Sequence, residues 1–99
     1  MAKKQAQNTH RAHVFYSGRV QGVGFRYTAE RFALELGLVG WVKNLPDSRV
    51  EVVCEGPKEK IDDFLRRLVQ ELGPYIHKTA CDWETPTNEF REFSVEFHL

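Results

Sequence analysis

The chain lacks several features, and each absence excludes a class of function. Its 99 residues carry 14 basic and 14 acidic side chains, so neither sign is in excess. Broad nucleic-acid binding draws on a strongly basic face, and this balance gives no sign of one. No apolar run is long enough to cross a bilayer. The opening Met1-Ala2-Lys3-Lys4-Gln5-Ala6-Gln7-Asn8 lacks the apolar stretch of a secretory signal and reads as part of a flexible tail over residues 1–9. Cys54 and Cys81 are the only cysteines, and no Cys-x-x-Cys pair exists. They are too few for a zinc site, and in a cytoplasmic chain both are expected to be reduced, buried thiols. With no internal repeats and no linker, residues 10–99 are expected to form one domain with a modest core. Hydrophobic content of 41% and aromatic content of 12% suit a globular fold rather than disorder.

The chain does contain an ordered series of periodic segments. Arg11 to Ser17 alternates, with Ala12, Val14 and Tyr16 on the expected core face. Phe25, Ala29, Phe32, Ala33 and Leu36 make one helical stripe, which Gly37 stops. Leu38 to Asn44 and Arg49 to Glu55 read as an antiparallel hairpin around Leu45-Pro46-Asp47-Ser48, with Val50, Val52 and Cys54 facing one way. Gly56-Pro57 opens a second helix, with proline expected at its first position. Ile61, Phe64, Leu65, Leu68 and Leu72 form its buried stripe, Lys58, Glu59, Asp62, Arg66, Arg67 and Glu71 lie on its solvated face, and Gly73-Pro74 ends it. Thr79, Cys81 and Trp83 alternate in a fourth strand, and Phe93, Val95 and Phe97 in a short last one. The expected fold is therefore α+β: a two-layer sandwich of βαββαβ order plus a short C-terminal strand. Both helices lie on one face of a mostly antiparallel sheet, the ferredoxin-like arrangement. That arrangement hosts many functions and decides none.

One stretch stands apart. Gly18-Arg19-Val20-Gln21-Gly22-Val23-Gly24-Phe25-Arg26 joins a strand end to a helix start. A helix N-terminus presents unpaired backbone N–H groups and partial positive charge. Glycines let further N–H groups curl inward, and an arginine adds a fork suited to phosphate or carboxylate oxygens. The stretch reads either as an anion cradle or as a plain tight turn. It has neither the Gly-Lys-Ser/Thr ending of a Walker loop nor the Gly-x-Gly-x-x-Gly spacing of a dinucleotide fingerprint, so nucleotide binding gains no support.

Those nine residues closely resemble the signature loop of the acylphosphatase family. Gly40-Trp41-Val42-Lys43-Asn44, followed by Asp47 and Val50-Glu51, resembles that family's second signature. The resemblance runs from about Arg11 to the C-terminus. It implies a core strand order of 4-1-3-2 with the last strand added at an edge. It further implies a small monomeric acylphosphatase of the cytoplasm that splits the carboxyl–phosphate bond of a small acyl phosphate and has no metal, organic cofactor, nucleic-acid or membrane partner. On this resemblance, Val20, Gln21, Gly22, Val23, Gly24, Phe25 and Arg26 form the phosphate-binding loop. Arg26 and Asn44 are the catalytic pair, with Arg26 holding phosphate and Asn44 orienting water.

The chemistry agrees with that assignment. The two signatures contain no histidine, cysteine or paired carboxylates, and by alternation Lys43 points away from Asn44. A site built from amides and one arginine suits a leaving group that needs no proton donor. A carboxylate, whose conjugate acid has a pKa near ~4, is such a group. Two departures from the family pattern stand out: Leu45 replaces a usual Thr, and Ser48 a usual Gly. They are expected to change rate or stability rather than abolish activity. Two other readings remain, a non-catalytic phosphate or anion sensor and an RNA-binding module of the same element order. For RNA, Phe15 and Tyr16 offer aromatics on the first strand, but the third strand offers none. His10, His13, His77 and His98 have no ligand-like spacing, Trp41 and Trp83 are expected to pack, and Tyr27 to line either the pocket mouth or the scaffold.

Overall fold

The computed structural model describes residues 8–97; most of the tail read over residues 1–9, and His98, lie outside them. Five strands and two helices follow in order: β1 (Thr9–Gly18), α1 (Phe25–Leu36), β2 (Val39–Asn44), β3 (Val50–Pro57), α2 (Lys58–Leu72), β4 (Ile76–Glu84) and β5 (Phe93–Glu96). A single turn of 3-10 helix, Gly73–Tyr75, joins α2 to β4. The sheet order is β4-β1-β3-β2-β5, with every pair antiparallel except β2 with β5. This is the ferredoxin-like sandwich, with the last strand added at an edge.

Alternation in β1 buries Ala12, Val14 and Tyr16 completely against the helices. Phe25, Ala29, Phe32 and Ala33 from α1 meet Ile61, Phe64, Leu68 and Leu72 from α2 over Val42, Val50, Val52 and Cys54. Burying a side chain of this size contributes about 1.5–3 kcal/mol, so this single layer holds the site's scaffold rigid.

Three expectations are corrected. Pro57 precedes α2 rather than occupying its first turn, because its extended ψ of 139° continues the ladder in which it faces Thr9. Cys81 is exposed; only Cys54 is a buried thiol, and both are free. The reason is coverage: α2 packs on β3 and β1, and α1 on β2 and β5, which leaves the helix-side face of edge strand β4 open. Trp83 accordingly remains 44% exposed, with the Lys58 ammonium 4.8 Å from its ring centre. Trp41 is half-buried on the opposite sheet face beneath Lys43, so neither tryptophan is a core residue.

The open sheet face carries a polar network that periodicity does not reveal. Glu55 is 2% exposed, and its carboxylate accepts from Arg11 Nη1 at 3.0 Å, Thr87 N at 2.8 Å and Asn88 N at 3.0 Å. It thereby pins the segment that crosses from β4 to β5. Burial pushes the Glu55 pKa up, but these hydrogen bonds outweigh it and hold the group below its ordinary value.

Next to it, His13 faces two carboxylates, Nε2 at 2.6 Å from Glu51 and Nδ1 at 2.9 Å from Glu84. Both ring nitrogens can donate only in the imidazolium form. Partial burial lowers the His13 pKa, but the bonds to Glu51 and Glu84 prevail and raise it. A folded pKa above the unfolded value of about 6.5 gives stability that is complete below about pH 6.5 and is lost as pH rises through the raised value. The site is partly exposed, so the loss is expected to stay below about 1 kcal/mol. Thermal melts across pH 6 to 9 (approximately, spanning the His range) should show this decline, and His13→Gln should flatten it.

Candidate active site

The stretch from Val20 to Arg26 forms the turn from β1 into α1. Gly22 and Gly24 hold φ of 79° and 81°, the left-handed region, and a Cβ at either would meet nothing within 4 Å. Glycine is needed there for backbone angle, and the space in front stays open. Gly24 caps α1 without any side-chain hydrogen bond to the first turn. The loop and the first turn of α1 border a concavity of about 270 Å³ lined by Val20, Gly22, Gly24, Phe25, Arg26, Tyr27 and Asn44, and the helix's leading N–H groups have no partner within the helix itself.

The structure brings Arg26 and Asn44 to this one concavity from different elements. Arg26 enters from the first turn of α1. Its guanidinium carbon lies 5.0 Å from the centre of the Phe97 ring, and no carboxylate pairs with it among the described residues. Its charge is thus available to a ligand, while the aromatic face limits its swing. Asn44 ends β2 on the helix side of the sheet, opposite Val50, whereas Lys43 turns to the other face over Trp41. Asn44 Oδ1 is buried and has no hydrogen-bond partner among the described residues. An unpaired buried acceptor costs about 1–3 kcal/mol, which sets this oxygen apart at a residue that lines the concavity.

Val23 and Gln21 are the two loop residues outside the lining of the concavity. Val23 packs partly against the core. Gln21 sends its side chain away from the concavity, and Nε2 donates to Leu45 O and Arg49 O, each at 2.9 Å. Its sequence position marks it only as part of the loop. The Phe97 ring is likewise unforeseen as a neighbour of Arg26, since alternation assigns it a strand face and nothing more. Tyr27 does line the mouth and is 59% exposed.

The β2–β3 turn, which carries both departures, is closed by its own hydrogen bonds. Ser48 adopts φ of 78°, a left-handed geometry costing roughly 1 kcal/mol without glycine. Leu45 N donates to Arg49 O at 2.8 Å, and Ser48 N to Leu45 O at 3.2 Å. The Asp47 carboxylate accepts from Arg49 N at 3.2 Å and Arg49 Nε at 2.9 Å. That backbone bond, with the guanidinium beside it, lowers the Asp47 pKa.

The two aromatics of the first strand are held on opposite faces of the sheet. Tyr16 is fully buried, and Phe15 lies beneath Arg49, 4.7 Å from its guanidinium carbon, and against His13. No helix is long and apolar enough to cross a membrane, among the described residues.

The family model for acylphosphatase matches residues 12–95. The acylphosphatase of Nostoc sp. is 47% identical over 89 residues, covering 87% of this chain and 85% of that one. The acylphosphatase of Thermus thermophilus is 64% identical over 64 residues, covering 65% of this chain and 70% of the other. Among solved structures, the acylphosphatase of Bacillus subtilis superimposes with a TM-score of 0.82 at 31% identity, covering 88% of this chain and 98% of its own.

Proposed function

This chain belongs to the acylphosphatase family, and we propose that the concavity between α1 and β2 is its active site, with Arg26 as the phosphate clamp and Asn44 as the water-orienting group. The reaction is hydrolysis of an acyl phosphate to a carboxylate and inorganic phosphate. The phosphoryl group sits on the backbone N–H groups between Val20 and Arg26, with the guanidinium bridging its oxygens. Charge spreads over those oxygens in a loose transition state, and fixed donors stabilise it without reorganising. Asn44 both donates and accepts, so it can hold a water in line with the scissile P–O bond. Water oxygen bonds to phosphorus, the P–O bond to the acyl group breaks, and its electron pair leaves with the carboxylate. The attacking water's proton passes to a phosphate oxygen. No general acid is required, because the departing carboxylate is a weak base at neutral pH.

The observation that carries this reading is the orphaned Asn44 Oδ1 beside an arginine that has no carboxylate partner among the described residues. In the same reading, residues 10–99 work as one monomeric domain in the cytoplasm on a free small molecule rather than on nucleic acid. Asn44→Ala is expected to lower kcat for acetyl phosphate by about 10²–10³-fold, the usual cost of removing one positioned polar group at the reacting centre. Its affinity for inorganic phosphate should persist. Wild-type turnover should be unchanged by a chelator. A variant with normal kcat would sink the assignment of Asn44.

A further inference from the structure

We propose that Gln21 is a positioning residue that sets the distance between the phosphate cradle and Asn44. The inference rests on the reading of Asn44 as the water-orienting group. The cradle and Asn44 lie on separate elements, and hydrolysis requires both to address one phosphorus atom. An error of about 1 Å in such geometry can cost 10²-fold in rate. The backbone offers no short covalent tie between them: Gln21 precedes Leu45 by 24 residues.

The Gln21 carboxamide supplies a direct tie. Its two N–H groups reach the two carbonyls that close the β2–β3 turn, Leu45 O and Arg49 O, at 2.9 Å each. Leu45 is the residue directly after Asn44. Arg49 O also accepts from Leu45 N at 2.8 Å, so one bond network fixes the turn, the end of β2 and the loop. The side chain is part-buried, which strengthens these bonds relative to exposed ones. This tie uses main-chain oxygens, so it does not depend on the identity of residue 45 or 48. It accounts for how Leu45 and Ser48 stand in this turn without releasing Asn44 from the concavity.

Gln21→Met matches the side chain in length and removes both donors. Steady-state kinetics with acetyl phosphate, and inhibition by inorganic phosphate, are compared for wild type, Gln21→Met, Asn44→Ala and the double variant. The expected result is a fall in kcat of about 10–100-fold for Gln21→Met with KM and phosphate inhibition little changed. On the Asn44→Ala background the same substitution should cost nothing further, because its route of action is already gone. A purely structural role would give an equal loss on both backgrounds, and that result overturns the proposal. So does a wild-type kcat, or a loss of phosphate affinity in step with kcat, which would place Gln21 in shaping the cradle instead. Full activity in Asn44→Ala alone would instead overturn the reading on which the proposal rests. If Gln21→Met does not fold, Gln21→Asn, which draws the donors back by one methylene, carries the same comparison.

Discussion

Arg26→Ala is expected to reduce kcat/KM for an acyl phosphate by at least about 10³-fold, equivalent to about 4 kcal/mol of transition-state stabilisation. Arg26 is the one cation among the described residues lining the concavity. In the proposed site it would face a dianion whose charge persists through the reaction, so both KM and kcat should suffer. Arg26→Lys keeps the charge but loses the planar fork, and should recover only part of the loss. The fold should hardly notice either change. Arg26 makes no ion pair among the described residues, and its contact with the Phe97 ring is worth no more than about 1 kcal/mol at an exposed site. Kinetics and a thermal melt on the same preparations separate the two effects. A normal rate, or a collapse in melting temperature matching the lost rate, would contradict this account.

Gly40→Ala is expected to have the opposite profile, with a large loss of stability at a residue that touches no substrate. Gly40 lies between Cys54 of β3 and Phe93 of β5 and holds φ of 137°. A Cβ there would collide with Val53 O and come within 2.9 Å of Cys54 Cα. Both obstacles are backbone in the middle of a sheet, so neither can yield. The loss should reach about 3 kcal/mol or more. For a domain of this size that lowers the melting temperature by roughly 12–24 °C. Gly73→Ala provides the contrast within one denaturation series. Its φ of −50° is helical and the nearest atom to an added Cβ, Val69 Cγ1, is 3.7 Å away. That change should be neutral or slightly stabilising. Equal effects at the two glycines would refute the steric argument.

The contrast between these glycines shows how far a sequence can be read. The stripe of α1, the alternation of β1 and the stop at Gly37 are local patterns with one physical solution each, and the fold follows them. The positions of Arg26 and Asn44 follow from a strand end and a helix start meeting across two short turns. Other features depend on partners from distant segments and leave no periodic trace. Glu55 reads as an ordinary strand-end carboxylate until Arg11, Thr87 and Asn88 close around it. Cys81 and Trp83 alternate as a buried face should, yet among the described residues neither helix packs broadly on β4. Pro57 has the composition of a helix start but remains held in the β1–β3 ladder by its pairing with Thr9. Gln21 belongs to the motif by name, whereas its side chain serves the opposite hairpin.

The strand order also bears on how quickly the chain can find this fold. Of its sheet pairings, only β2 with β3 closes over a short turn; β1 with β3, β1 with β4 and β2 with β5 each wait for distant chain to arrive. Loop-closure entropy must be met before those contacts give any return, which makes refolding slow for a protein this small. The segment through Ser48 is the natural place to look for an early kinetic nucleus, so the residue that strains the turn also weighs on the speed limit.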